Sequence, residues 1–309
     1  MIIGIDETGD FSPTSDKISF FIAVLIDQSE NGLEKKKEQF DKWFKTIPER
    51  NINEKGEIKG SSLNDEMLLS FVNNVYNQEP VARIEISCFD PKENNEELMQ
   101  EFKKREINVL LSEAESFRKK GNEKKAKRIE SMAYWYKNRT KMNYHHFFKM
   151  MLLKSVINNS FITTIASSML IELLGKDKDS NNLLGITFKI DGDFIRGDEA
   201  TENWKKLLEK SFTQFNEKNP IPTLENWKKD KHPFLEKYKS SKLENLDFKK
   251  IFKQNCNFGD SNENFEIQMA DIIGIIINRY INQQKAEAPF NALWEKIERK
   301  KWNKVQLVI

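Results

Sequence analysis

Residues 1–11 read MIIGIDETGDF, an apolar run that stops at two adjacent carboxylates, Asp6 and Glu7. Met1, Ile2, Ile3 and Ile5 show no polar alternation and are rich in β-branched side chains, the pattern of a strand covered on both faces. Gly9 then allows the chain to turn. Removing a carboxylate's hydration at the edge of a core costs several kcal/mol unless a cation or hydrogen bonds compensate. Acids delivered by a buried strand therefore suggest a site.

Outward from this stretch, Lys17–Asp27 (KISFFIAVLID) is a second apolar run after a connection of hairpin length, so an antiparallel pair is expected. Leu33–Phe44 carries its apolar residues at helical spacing, and Val81–Phe89 (VARIEISCF) alternates as a strand. Glu57 and Lys59 flank Ile58 on a short extended piece, which places both charged groups on one side. The segment 91–182 is dominated by helical stretches and reads as a helical insertion or cap. Leu183–Ile190 (LLGITFKI) is another buried strand, and it too ends in acids, Asp191 and Asp193. Phe248–Asn255 reads as a weak strand, with 258–261 as a turn. Glu263–Gln283 (ENFEIQMADIIGIIINRYINQ) reads as a helix that is apolar nearly all round. The expected class is α/β, a mixed sheet flanked by helices, with segments 1–90 and 183–309 forming one domain around the insertion.

The 309 residues carry 50 basic and 48 acidic side chains, a net charge of +2, so the chain as a whole has no strong field. Two distant cysteines, Cys88 and Cys256, offer neither a disulfide framework nor a thiolate metal site, which fits a reducing cytoplasm. No apolar run approaches the roughly 20 residues that cross a bilayer, and no secretory leader pattern is present. A soluble protein without membrane contact is expected.

Asp271 lies among Met269, Ala270, Ile272 and Ile273 in the closing helix, where an unpaired charge is expensive. Asp6, Asp191 and Asp271 thus share one character: each stands where apolar secondary structure meets a polar tip. Such carboxylates are hard oxygen ligands suited to Mg²⁺ or Mn²⁺, and a cation offsets their mutual repulsion. Glu57 is a candidate fourth ligand.

These residues resemble a family of uncharacterised bacterial proteins that open with an IDESG-type motif, close with a QxADxxxG-type helix and are regarded as ribonuclease H-like. Here the opening is IDETGD at Ile5–Asp10, with Thr8 where Ser is usual. The closing helix carries QMADIIG at Gln268–Gly274, and Glu57-Ile58-Lys59 matches an E-x-K piece. The opening is also similar to the IDEAG motif of type-two ribonuclease H, but Asp10-Phe11 departs from the GRG that follows there, so specificity for RNA/DNA hybrids is not implied. The resemblance implies a ribonuclease H-like sheet on which Asp6, Asp191 and Asp271 converge on two metal ions. Glu57 and Glu7 then act as ligands or water-orienting acids, and Lys59 contacts phosphate or water. Two such ions clamp the attacking water and the leaving oxygen of a phosphodiester. The segment 91–182 has no counterpart in the resemblance.

Other readings start from different residues. Glu57-x-Lys59 is also the signature of restriction-type nucleases, which need an acid upstream at a strand end; Asp27 and Asp41 are the nearby candidates. His145-His146 near Arg139 suggests a metal-independent ribonuclease using general acid–base catalysis, although adjacent histidines diverge by about 100° on a helix. A non-catalytic nucleic-acid-binding or partner subunit is a third possibility. Residues 103–154 hold fifteen Lys/Arg against five Glu. The densest group, Lys119, Lys120, Lys124, Lys125, Lys127 and Arg128, is expected to hold a DNA or RNA backbone beside the acidic site. Dimerisation or docking of a partner protein is the alternative role for this block.

Overall fold

Strand β1 (Ile2–Thr8) lies near the middle of a six-stranded mixed sheet. It pairs antiparallel with β2 (Ser19–Ile26) and parallel with β4 (Thr187–Asp191). Beyond β2, β3 (Arg83–Phe89) is antiparallel and β6 (Trp302–Lys304) pairs parallel with β3. Beyond β4, β5 (Cys256–Gly259) is parallel and forms the other edge, giving the order β5-β4-β1-β2-β3-β6. This computed structural model describes residues 1–11, 15–27, 31–80, 82–92, 96–138, 144–173, 183–192, 201–202, 204–206, 208–210, 212–213, 227, 232–240, 246–295 and 302–304.

The absence of alternation in β1 and β2 has the expected consequence, because both faces of the sheet are covered. Ile3, Ile5, Phe21, Ala23 and Leu25 belong to one core; Phe20, Ile22, Val24 and Ile26 belong to the other. The first core is closed by helix α5 (Tyr144–Leu173) through Leu152, Leu153, Val156, Ile157, Phe161 and Ile165. The second is closed by α1 (Gly32–Phe44), α2 (Asp65–Phe71) and the apolar helix of the C-terminal region, residues Phe265–Gln283. Full burial of one Ile or Phe is worth about 1.5–3 kcal/mol. Several such side chains on each face outweigh the cost of a few desolvated carboxylates at the strand ends.

The segment 91–182 divides in two. Helices α3 (Glu96–Lys119) and α4 (Glu123–Asn138) form an antiparallel pair closed by Ala114, Ala126, Ile129 and Ala133. Helix α5, by contrast, is a layer of the sheet domain itself. Polar groups fix its seat: Ser87 Oγ donates to Ser155 Oγ at 3.1 Å, and Thr163 Oγ1 donates to the buried Glu85 at 2.7 Å.

Two local expectations are corrected. Phe248–Asn255 is not a strand but helix α7, preceded by α6 (Pro233–Tyr238). Phe248, Ile251 and Phe252 share a buried face at helical spacing, and Asp247 caps the start by accepting from the amides of Lys249 and Lys250. The expected turn at 258–261 begins as strand β5, since Phe258 and Gly259 pair with Ile190 and Asp191. Helix α8 (Phe265–Gln283) and α9 (Glu287–Trp294) follow.

Candidate metal centre

Asp6 and Asp191 are neighbours by register. β1 and β4 pair in parallel with Ile5 beside Ile190, so the next residue on each strand is a carboxylate. Both acids face α8. Lys189, two residues before Asp191, reaches Glu266 of α8 at 3.0 and 3.1 Å, and Gly4, two residues before Asp6, lies under the backbone of Glu266. A Cβ at Gly4 would stand 2.3 Å from the Glu266 carbonyl oxygen, so glycine is what permits this approach. Further along, a Cβ on Gly274 would stand 3.1 Å from Thr8 Cγ2. The helix therefore runs along β1 in the same direction, and the intervening Asp271 comes level with the acidic end of the strand.

One oxygen each of Asp6, Glu7 and Asp191 lie within 4.8 Å of one another. All three, with Asp271, line a cleft of about 430 Å³. Burial is the main cause that raises the Asp6 carboxyl well above its ordinary range, and the charges of Asp271, Glu7 and Asp191 add to it. The Glu7 amide, donating to Asp6 Oδ1 at 2.7 Å, opposes that shift. Asp271 is pushed up to about 6, again first by burial, with a hydrogen bond from the Gly60 backbone opposing and Glu57 and Glu7 adding repulsion. That displacement corresponds to about 3 kcal/mol of unfavourable ionisation at neutral pH.

Glu57 forms the opposite wall, on a loop built to hold it. Asn53 Oδ1 accepts from the amides of Lys55 and Glu57, and Gly56 takes a positive φ of 79° that closes the turn. Asn53 Nδ2 donates to Glu57 Oε2 at 2.9 Å, and Ser261 Oγ donates to Glu57 Oε1. Ile58 is buried, so Glu57 and Lys59 stand on the cleft side together; Lys59 and Lys55 are exposed at its rim. Arg279 seats this wall on α8 by donating to the carbonyls of Leu63 and Ser61 at 2.6 and 2.8 Å. It thus serves the loop and Asp65 rather than Asp271.

Helix α5 contributes from the other face of the sheet. Lys149, 9% exposed, lies with Nζ 2.6 Å from Glu7 Oε1 and 5.3 Å from the centre of the Phe11 ring. The cleft is thus lined by clustered carboxylate oxygens under mutual repulsion and burial. That donor set fits Mg²⁺ or Mn²⁺ and offers nothing to a metal that prefers sulfur or imidazole.

Asp6, Glu7, Glu57, Asp191 and Asp271 line one cleft, and Lys59 and Asp260 line it too. Asp193 lies outside the described residues, as do the side chains of His145 and His146. His232 caps α6 by accepting from the Phe234 amide and stacks on Trp227. Lys119, Lys120, Lys124, Lys125, Lys127 and Arg128 are exposed at the turn between α3 and α4. They do not line the cleft. The 24 residues of α3 carry that turn about 36 Å along the helix axis from its start.

Asn53, Ser261 and Lys149 were not read from the sequence as site residues. Asn53, four residues before Glu57, carried a turn signal; Lys149 carried none, because its partner lies 142 positions away. Comparison with protein-family models, curated proteins and solved structures gives no match to this chain.

Proposed function

We propose that the protein is a divalent-metal-dependent nuclease that hydrolyses nucleic-acid phosphodiesters. The observation that carries this reading is the register of Asp6 beside Asp191 with Asp271 brought level by α8, all in one cleft. The order β5-β4-β1-β2-β3, with β1 antiparallel to β2 and parallel to β4, supports a ribonuclease H-like fold. In this reading Asp6, Asp191 and Asp271 hold Mg²⁺ or Mn²⁺, two ions in the full complement, with Glu57 as a further ligand. The bound ions supply water activation and stabilisation of charge on the scissile phosphate.

The chain's own residues do the rest. Glu57, hydrogen-bonded at both oxygens by Asn53 and Ser261, is held in the wall of the cleft. Glu7 orients water beside Asp6, and Lys59 and Lys55 attract phosphate at the rim. No aromatic side chain lines the cleft among the described residues, so recognition there is of the backbone rather than of stacked bases. The exposed basic turn between α3 and α4 supplies a second, remote phosphate contact in DNA or RNA, or else docks a partner protein or second copy.

The restriction-type reading draws less support. Glu57 and Lys59 lie on a loop with one bridge, Ile52 to Ile58, and Asp41 pairs with Lys37 on an exposed helix face. The acid that faces Glu57 comes from α8 instead. The test is incubation with single- and double-stranded DNA and RNA in Mg²⁺, Mn²⁺ or EDTA. Cleavage of at least one substrate in metal and of none in EDTA is the expected result. A protein that binds these substrates and cuts none is a binding subunit.

A further inference from the structure

We propose that Lys149 is a positioning residue of the acidic centre, a fixed cation that neutralises Glu7 and sets how strongly the Asp6–Glu7–Asp191 corner draws a divalent ion. The inference rests on the metal-nuclease reading above and adds a residue that the opening and closing motifs do not contain.

The geometry is specific. Glu7 follows Asp6 on β1, so their side chains leave opposite faces of the sheet: Asp6 toward α8, Glu7 toward α5. Lys149 meets Glu7 there at 2.6 Å, with side-chain exposures of 11% and 13%. A pair this buried is screened little by salt, and breaking one member leaves an uncompensated charge. The Phe11 ring beside the ammonium adds a cation–π contact and limits its freedom. Glu7 is also one of the three acids whose oxygens lie within 4.8 Å of one another. A lysine held on it therefore acts on the whole corner.

The topology explains how α5 arrives there. β3 ends at Phe89 opposite Ser19, and Thr8 is opposite Phe20, so the chain leaves the sheet at the same end that carries the acids. After α3 and α4 it returns as α5, and Lys149 falls in the second turn of that helix. The two layers thus meet the acidic corner with opposite charges, Asp271 from α8 and Lys149 from α5. A positive charge at Glu7 lowers the local demand for a second cation. The Asp6–Asp271–Glu57 side then binds its ion more tightly than the corner next to Lys149.

Calorimetric titration of the full chain with Mn²⁺ tests this. The wild type should show one tighter and one weaker site. Lys149→Met should strengthen the weaker site at least tenfold, and Lys149→Arg should restore the wild-type pattern. Should Lys149→Met prove unstable, Glu7→Gln/Lys149→Met replaces the pair with neutral side chains of similar size. That variant keeps the net charge of the corner and should retain the wild-type pattern of one tighter and one weaker site; a weaker site strengthened tenfold or more in it would overturn the charge-setting role of Lys149. Wild type and Lys149→Met with the same two affinities would overturn the role of Lys149 while leaving the metal centre in place. Absence of Mn²⁺ binding in both would overturn the metal centre together with it.

Discussion

Lys149 and Glu7, 142 positions apart in the chain, face each other at 2.6 Å, and through them helix α5 is tied to the acidic end of β1. The opposite layer reaches the same place through Asp271. Clustered acids at the end of a well-packed strand impose an electrostatic cost on the metal-free protein that neutralisation removes.

Asp271→Asn should therefore stabilise the metal-free protein. Its carboxyl is displaced to about 6, so neutralising it at pH 7 recovers up to about 3 kcal/mol. Asn Oδ1 can still accept from the Gly60 amide. Thermal denaturation in EDTA should show a higher Tm for the variant, and the increment produced by Mn²⁺ in the wild type should disappear.

The pH dependence follows with a definite sign. The folded pKa of Asp271 lies at about 6, above the unfolded value near 3.8, so between these values the folded state binds more protons. The contribution of Asp271 to stability in EDTA should be fully present below about 4 and lost as pH rises through about 6. Asp6, raised for the same reasons, acts in the same direction. Chemical denaturation at a series of pH values checks this, and Asp271→Asn should flatten the slope.

Gly4→Ala should uncouple the site from the fold. The added Cβ would meet the Glu266 carbonyl at 2.3 Å, so α8 has to move off β1. Overpacking of this kind costs about 1–3 kcal/mol, and the displacement carries Asp271 away from Asp6. Loss of Mn²⁺ binding in a variant that retains its far-ultraviolet circular dichroism is the expected outcome.

The strands and the acids were legible in the sequence because both obey local rules. Apolar runs without alternation marked β1 and β2, the apolar stretch 183–190 marked β4, and carboxylates at the ends of these strands or within the apolar closing helix marked Asp6, Asp191 and Asp271. Helix α7 was misread because Phe248, Ile251 and Phe252 sit in a short stretch whose decisive signal is the Asp247 cap. Lys149 was invisible for a different reason. It lies in a lysine-rich block, and only the return of α5 to the end of β1 distinguishes it from the exposed lysines of the α3–α4 turn. The placement of the basic turn was also beyond local reading, since composition does not show that its lysines stand at the tip of the long α3–α4 pair and outside the lining of the cleft.

Replacing Lys124, Lys125 and Lys127 with Gln should weaken nucleic-acid binding without altering the cleft. For every phosphate that is no longer neutralised, the slope of log affinity against log salt falls by about 0.7–0.9. Binding measured across a salt series should show this reduction with little dependence on base sequence. Unchanged affinity and slope would assign the turn to protein contacts instead.

The central claim is that the carboxylates around Asp6 form a metal-dependent hydrolytic site, and one measurement addresses it most directly. Wild type and Asp6→Asn are compared for cleavage of end-labelled DNA and RNA strands in Mn²⁺, with the fold of each checked by circular dichroism. The account predicts cleavage by the wild type that EDTA abolishes, and at least a hundredfold less by folded Asp6→Asn, the order of effect seen when one preorganised electrostatic group is removed. Cleavage that persists in EDTA and in Asp6→Asn at the wild-type rate would contradict it.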